Sequence, residues 1–236
     1  MSKPSVSIVI PVFNEESSLL SVIKEVNDVM RLSRYVYKVI VVNDGSTDGS
    51  SVALDQLNNE GVIILVLNLH REGYGKSLKV GFSLADTDLI VFIDADKTYL
   101  PAEIIGLIES LAKQENALAC FGSRFSNKTK SKIGLIRYLG NVFLARLATL
   151  LFNRYITDAC SGLRVFKREL LGLIDYQSLS DDLDFSPQFT ARCLKRKINF
   201  IEVPISYNKR QGKSKINLLK HGYKFTISIL KERFIK

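Results

Sequence analysis

The stretch Leu89-Ile90-Val91-Phe92-Ile93-Asp94-Ala95-Asp96 decides the fold, because an apolar run of strand length ends directly in two carboxylates one residue apart. Such a run predicts a buried strand, and open α/β sheets place their chemistry at the carboxyl ends of their strands. Mg²⁺ held by one or two carboxylates fills its other positions with water and substrate phosphates. The pattern therefore predicts a site for a metal ion and a diphosphate.

A second acidic turn strengthens this prediction. The apolar run 38–42 is followed by Asn43-Asp44-Gly45-Ser46-Thr47-Asp48-Gly49, which repeats the order of strand and polar turn. An isolated Asp-x-Asp is more often a pair of solvated loop carboxylates. Two such turns are expected to meet at one edge of a parallel sheet, which favours a shared site.

Short β-branched runs alternate with helical patterns along the first half of the chain. Strands are predicted at 5–12, 39–42, 62–67, 89–93 and 117–121, and helices at 16–30, 50–58, 76–85 and 101–113. This order predicts βαβ units and an α/β fold with a mainly parallel sheet flanked by helices. After about residue 122 the pattern changes to basic loops and helices with one late strand at 199–203, so we expect this part to pack over the sheet edge.

Charge divides the chain into two unlike halves. Residues 1–120 carry 10 Lys and Arg against 16 Asp and Glu, whereas residues 121–236 carry 23 against 8. The distribution favours a metal and nucleotide site in the first half and an anionic partner for the second. Nucleic acid, acidic lipid and a phosphorylated substrate all fit at this point.

Three scattered cysteines match neither a disulfide framework nor a metal knuckle and indicate a reducing cytoplasm. The amino terminus lacks a signal-peptide core, and no uninterrupted apolar segment reaches the ~18 residues that span a bilayer. We therefore expect a cytoplasmic protein that can lie on a membrane without crossing it.

Two partial phosphate-binding motifs stand near the third strand. Gly73-Tyr74-Gly75 begins like a dinucleotide fingerprint, but the third glycine position holds Leu78. Gly75-Lys76-Ser77 ends like a P-loop, but its first glycine position holds His70. Neither motif is complete, so neither predicts a site.

Three segments together resemble a family-2 glycosyltransferase with the GT-A (Rossmann-like) fold. They are Ile8-Val9-Ile10-Pro11-Val12-Phe13-Asn14-Glu15-Glu16, then 42–49, then Asp94-Ala95-Asp96. Further segments, at 122–124, 158–164, 202–204 and 210–215, resemble the polyprenyl-phosphate branch typified by dolichyl-phosphate mannose synthase. The resemblance covers nearly the whole chain. It implies one domain over 1–236, with a nucleotide-sugar and metal half at 1–122 and a basic helical acceptor and membrane-surface half at 123–236.

The resemblance also implies an activity and its partners. It implies inverting transfer of a hexose from GDP-mannose or a UDP-hexose to a polyprenyl (dolichyl-type) phosphate, with Mg²⁺ or Mn²⁺ as cofactor. The enzyme would lie peripherally at the cytosolic face of a membrane, where a membrane-protein partner is compatible with it, and no nucleic acid is expected.

Site residues follow from the same resemblance, position by position. Asp94 and Asp96 would bind the metal and the diphosphate. Arg124, Arg137 and Arg164 would face the acceptor phosphate or the leaving diphosphate. The nucleotide sugar would further contact Pro11, Asn14, Glu15, Asp44 and a closing loop that carries Arg210, Ser214 and Lys215, of which Arg210 and Lys215 would assist catalysis together with Asp96.

Two positions depart from the pattern. Thr98 stands where dolichyl-phosphate mannose synthases commonly carry glutamine, which weighs against mannose as the sugar. Gln188 stands where many relatives carry an acidic residue, so a carboxylate base is not available at that position, although Asp181, Asp182 and Asp184 are near. A phosphate monoester is largely dianionic at neutral pH, with a second pKa near ~6, and attacks without a base. The second departure therefore favours a phosphate acceptor.

The last helical segment, 216–235, places Lys220, Lys224 and Lys231 on one face and most of its large apolar residues opposite. Such a helix can lie in the headgroup layer, and a core-facing helix with a solvated lysine stripe has the same pattern. The segment 133–152 is also strongly apolar but carries Arg137 and Arg146, and is expected to line the acceptor groove.

Three alternatives remain at this point. The first is transfer to a saccharide hydroxyl, although the chain has no Trp and so lacks the Gln-x-x-Arg-Trp motif of processive synthases. The second is a nucleic-acid-binding module, for which no recognition motif is visible. The third is a nucleotide-binding subunit without turnover.

Overall fold

The computed structural model describes residues 3–125, 133–211 and 217–234. Within them the chain forms one mixed sheet with helices on both faces. The strands are β1 Val6–Val12, β2 Tyr37–Asn43, β3 Ile64–Leu67, β4 Leu89–Phe92, β5 Ala119–Ser123, β6 Arg164–Lys167 and β7 Phe200–Pro204. The helices are α1 Leu19–Ser33, α2 Ser50–Asn59, α3 Tyr74–Leu84, α4 Glu103–Ala112, α5 Leu135–Phe152, α6 Leu170–Ile174, α7 Phe185–Lys195 and α8 Leu218–Phe234, with a short 3₁₀ turn at Tyr176–Ser178.

The strand order is β3-β2-β1-β4-β6-β5-β7. β1 pairs in parallel with both β2 and β4, while β6 runs antiparallel between β4 and β5. Every residue of β1 is buried, as expected for a parallel strand covered on both faces. Its successive side chains therefore enter two separate cores, with Val9 in one and Ile8 and Ile10 in the other.

All six strands that the sequence predicts are present, and the mixed α/β class is confirmed. The strand that the sequence did not predict is β6, which has only four residues and begins and ends with a basic residue. Its place corrects the expectation that the second half packs over the sheet edge. That half supplies β6 to the interior of the sheet and β7 to one edge.

Lys224, Ser228 and Glu232 of α8 pack on the protein, while Lys220 and Lys231 are exposed. Lys224 forms ion pairs with Asp182 and Asp184, and the buried Ser228 hydroxyl donates to Asp184. The buried Glu232 carboxylate accepts hydrogen bonds from Arg192 of α7 at 2.6 and 2.8 Å. The prediction of a single solvent-facing lysine stripe is therefore wrong at Lys224.

Apolar side chains cover much of the solvent-facing surface of α5 and α8. Leu219 and Tyr223 of α8 are 88% and 72% exposed. By length and composition α5 could also cross a membrane, since its mean hydropathy is 1.4 and 17% of it is buried. Arg137 and Arg146 interrupt the apolar run, which is why no span was predicted from the sequence. A helix of this length and composition is also typical of a protein core, so it does not by itself indicate a span.

Candidate functional site

The carboxyl ends of β1, β2 and β4 open into one cavity of about 560 Å³. The three strands are adjacent and parallel, so the loops that follow them meet there. The cavity then continues between α5 and α8. Of the predicted site residues, those lining it are Pro11, Glu15, Asp44, Asp94, Asp96, Arg124, Arg137 and Arg210.

Asp44 is buried at the end of β2, and its carboxylate holds the turn before α3. Oδ1 accepts hydrogen bonds from the Glu72 amide at 2.7 Å and from the Asn68 side chain at 3.3 Å. Oδ2 accepts from the Gly73 amide at 2.9 Å. Beside it the Arg71 guanidinium lies over the Phe13 ring, 4.4 Å from the ring centre. Both side chains line the cavity, and neither was among the predicted site residues.

Asn14 joins the first two loops and does not line the cavity. It adopts a left-handed conformation with φ of 53°, and its side-chain oxygen accepts a hydrogen bond from the Thr47 amide at 2.7 Å. Its own amide donates to the Ser46 hydroxyl at 3.0 Å. The loop after β1 is thereby fixed against the acidic turn after β2, which places Pro11 and Glu15 on the cavity wall.

Asp94 is enclosed on two sides. Its Oδ1 accepts a hydrogen bond from the Tyr74 hydroxyl at 2.8 Å. Its Oδ2 lies so close to the Cα of Gly162 that a methyl group there would clash with it. Burial, followed by the charge of Asp96, raises the pKa of Asp94 to about 7. A divalent cation would favour the charged form of this carboxylate.

Asp96 is buried and its two oxygens have different partners. Oδ1 accepts from the amide and the hydroxyl of Thr98, so Thr98 fixes this carboxylate. Oδ2 accepts from Arg210 at 2.8 Å, and the same guanidinium pairs with Glu15. The Gln211 amide donates to the Asp96 carbonyl at 3.2 Å, which docks this segment on the metal turn. Ser214 and Lys215 lie outside the described residues.

Arg124 is buried at the wall of the cavity and is held by Asp158. Its Nε and Nη2 donate to the two carboxylate oxygens at 2.7 and 2.8 Å. Burial alone would lower the pKa of Arg124, but Asp158 keeps it well above its ordinary value. Glu202 of β7 in turn accepts hydrogen bonds from the Asp158 and Thr157 amides. Asp158 and Glu202 were not among the predicted site residues, although both lie in segments that carry the family resemblance.

Arg137 lies on α5 and lines the cavity, but Arg164 does not. The Arg164 side chain is fully buried, and it donates to the carbonyls of Ala159, Ser161 and Ser186. Its guanidinium also lies 4.4 Å from the centre of the Phe121 ring. The placement predicted for Arg164 against a phosphate therefore does not hold in this structure, where it joins the turn after Asp158 to α7.

The carboxylates suit a hard divalent cation that is only partly coordinated by protein. Among the described residues no group of three or more His, Cys, Asp or Glu side chains is placed to hold a metal ion. The turn after β4 offers the two carboxylates of Asp94 and Asp96. Mg²⁺ sites of this kind are completed by water and phosphate oxygens. The positive Arg210 guanidinium on Asp96 Oδ2 shows that this oxygen accepts a cationic partner.

The chain belongs to glycosyl transferase family 2, whose profile matches residues 7–173. It is 27% identical over 225 residues to a dolichyl-phosphate hexose transferase of Haloferax volcanii, covering 95% of this chain and 92% of that protein. It is 26% identical over 223 residues to a UDP-N-acetylglucosamine–dolichyl-phosphate N-acetylglucosaminyltransferase of Methanococcus voltae, covering 87% and 86%.

The solved structures support the fold. A glucosyl-3-phosphoglycerate synthase from Mycobacterium tuberculosis, in complex with Mn²⁺, UDP and phosphoglyceric acid, superposes with a TM-score of 0.77 at 19% identity. The match covers 99% of this chain and 80% of that one. The predictions of the GT-A fold and of glycosyltransferase activity are confirmed.

Proposed function

We propose that this enzyme transfers a hexose from a nucleotide sugar to a polyprenyl phosphate at a membrane surface. One observation carries the proposal: a single cavity runs from Asp44, Asp94 and Asp96 to a largely apolar groove between α5 and α8. Its acidic end suits a cation with a diphosphate, and its apolar end suits a lipid chain. Arg124 and Arg137 line the same cavity and suit the acceptor phosphate between them.

The proposed chemistry needs charge stabilisation more than proton transfer. Mg²⁺ or Mn²⁺ at Asp94 and Asp96 would stabilise the negative charge that develops on the leaving diphosphate. Arg210, now paired with Asp96 and Glu15, has a guanidinium that can pass to the diphosphate when the donor arrives. Attack by the acceptor from the face opposite the leaving group would invert the sugar carbon.

The residues around Gln188 support an acceptor that needs no base. The Gln188 side chain bridges the Ser180 amide and Glu232, at 2.7 and 2.8 Å, and so braces α8. Asp184 is 4% exposed and accepts hydrogen bonds from Ser180 and Ser228, so its oxygens are committed. A lipid phosphate is already largely ionised at pH 7 and attacks without such a carboxylate. A sugar hydroxyl would need one.

The basic second half does not by itself indicate nucleic acid. Several of its arginines serve internal contacts: Arg154 donates to the carbonyls of Ile198 and Phe200, and Arg192 binds Glu232. With Arg124 and Arg164 also paired inside the protein, part of the positive excess has a structural use. The exposed apolar surface of α5 and α8 favours peripheral attachment to a membrane, which we place at the cytosolic face.

A transfer assay tests the proposal. GDP-mannose, UDP-glucose and UDP-N-acetylglucosamine, each radiolabelled in the sugar, are incubated with Mn²⁺ and a polyprenyl phosphate, and label is counted in the organic phase. The matched control is the corresponding polyprenol, which has the same chain without the phosphate. We expect label in the lipid with the phosphate only. Equal transfer to the alcohol, or transfer only to soluble sugars, would contradict the proposed acceptor.

A further inference from the structure

Tyr74 lies at the junction of two parts of the donor site. It is the first residue of α3, it lines the cavity, and its hydroxyl donates to Asp94 Oδ1 at 2.8 Å. In this hydrogen bond the phenol O–H is the donor and the Asp94 carboxylate is the acceptor.

The turn at 72–74 is fixed from its other end by Asp44, whose two oxygens accept the Glu72 and Gly73 amides. Gly73 has φ of 115°, and a methyl group on it would clash with the Asp181 carbonyl. The Lys76 amide donates to the same carbonyl at 3.0 Å. The backbone before and after Tyr74 is therefore held on both sides. The two glycines of the incomplete Gly-Tyr-Gly motif serve this packing, since Gly75 lies equally close to the Ser180 carbonyl.

Asp94 has little freedom once Tyr74 is in place. Gly162 borders Oδ2, and the Gly162 amide donates to the Tyr99 hydroxyl at 2.7 Å, which fixes that border. A carboxylate with one oxygen hydrogen-bonded and the other in van der Waals contact presents its remaining lone pairs in fixed directions. Partners that orient a metal ligand in this way typically change metal affinity by about 10- to 100-fold when they are removed.

We propose that Tyr74 is a positioning residue for the metal and diphosphate site, and that turn 72–74 sets the orientation of Asp94 relative to Asp44. The inference rests on the proposed function, because it takes Asp44 to contact the nucleoside and Asp94 to contact the cation. Tyr74 would connect the nucleoside end of the donor site, at Asp44, to its cation end, at Asp94, through the short turn 72–74.

The test compares Tyr74→Phe with Tyr37→Phe. Each substitution removes one hydroxyl and keeps the ring. The Tyr37 hydroxyl donates a hydrogen bond to Asn27 of α1, and Tyr37 begins β2, at the end of the strand opposite the cavity. Mn²⁺ binding is followed by the loss of the free-ion electron paramagnetic resonance signal at a saturating concentration of UDP or GDP, whichever the wild-type enzyme binds. Binding of the same nucleoside diphosphate is measured separately in chelator. We expect Tyr74→Phe to raise the Kd for Mn²⁺ about 10- to 100-fold, with nucleoside-diphosphate binding in chelator and Tm unchanged. Tyr37→Phe should leave the Mn²⁺ affinity at the wild-type value.

Gly162→Ala is the second variant, because its added methyl group displaces the other Asp94 oxygen. If Tyr74→Phe does not fold, Gly162→Ala provides the test. If Tyr74→Phe, or Gly162→Ala in its place, folds and binds Mn²⁺ with an affinity within twofold of wild type, the inference is overturned and the proposed function stays intact. Absence of Mn²⁺ binding and of binding to both UDP and GDP in the wild-type enzyme would overturn both, so the two failures are distinguishable.

Discussion

Replacing three exposed leucines of α5 with serine should release the protein from membranes. Leu135, Leu139 and Leu150 are 70%, 56% and 81% exposed, and none of them lines the cavity. Together their exposed surface amounts to about two complete side chains. Full burial of a leucine is worth about 1.5–3 kcal/mol, so the triple variant forfeits about 3–6 kcal/mol if the helix face inserts completely. If the helix face inserts only halfway, the variant still loses about 1.5 kcal/mol of binding free energy, which lowers its partition coefficient about tenfold.

The assay is sedimentation with vesicles that contain anionic lipid, at low and high salt. The matched control replaces Leu32, Leu84 and Leu173, which are 80%, 46% and 50% exposed but lie on other helices. We expect at least a tenfold loss of binding for the α5 variant and no loss for the control. Nucleotide-sugar binding should persist in both. Binding by the α5 variant within twofold of wild type would refute the reasoning and would make α8 or another surface the membrane contact.

Three further predictions concern the site and the docking of α8. Asp96→Ala should abolish divalent-cation-dependent transfer with the fold intact by circular dichroism, because Asp96 is expected to bind the cation. Arg210→Ala should lower kcat far more than it weakens donor binding, because the proposed partner of Arg210 gains charge in the transition state. Burial would raise the pKa of Glu232, but hydrogen bonds from Arg192 and Gln188 hold it below its ordinary value. Glu232 therefore stabilises the fold above its unfolded pKa of about 4.3, and this contribution should disappear as pH falls below that value. The Tm of Glu232→Gln should accordingly fall less on acidification than the Tm of the wild type.

Each of these three has a result that would contradict it. Full turnover by Asp96→Ala in chelator would remove the metal assignment. A change in donor Kd with kcat unchanged would make Arg210 a docking residue only. A Tm that falls with acid equally in wild type and Glu232→Gln would mean that the contact between α7 and α8 contributes no pH-dependent stability.

The positions of Asp44 and Asp94 were predictable because their signals are local. Each follows an apolar run of strand length, and the carboxyl ends of adjacent parallel strands necessarily share an edge of the sheet. The neighbours that hold these carboxylates were not predictable. The Tyr74 hydroxyl reaches Asp94 across 20 residues of sequence, and Arg71 meets Phe13 across a longer separation still. No periodicity or spacing encodes such pairs.

The misplaced basic residues have a different cause. Helical periodicity places Lys224 on a polar face of α8 but does not tell which face of the helix packs against the protein. Here Asp182 and Asp184 form a polar surface against which Lys224 packs. Arg164 resembles a phosphate ligand in a motif, yet in the structure its Nε and Nη2 donate to three backbone carbonyls and its guanidinium lies over an aromatic ring. Charge in the sequence predicts the need for a partner and leaves its identity open.

The antiparallel strand β6 also has a consequence during synthesis of the chain. Until residue 167 has been translated, the edge of β4 that β6 later covers has no partner from its own sheet. At about 5–20 residues per second, translation from residue 92 to residue 167 takes about 4–15 s. The unpaired edge of an apolar four-residue strand is exposed for that time, which is long compared with the formation of local helices. During this stage the backbone groups of that edge are open to pairing with another chain.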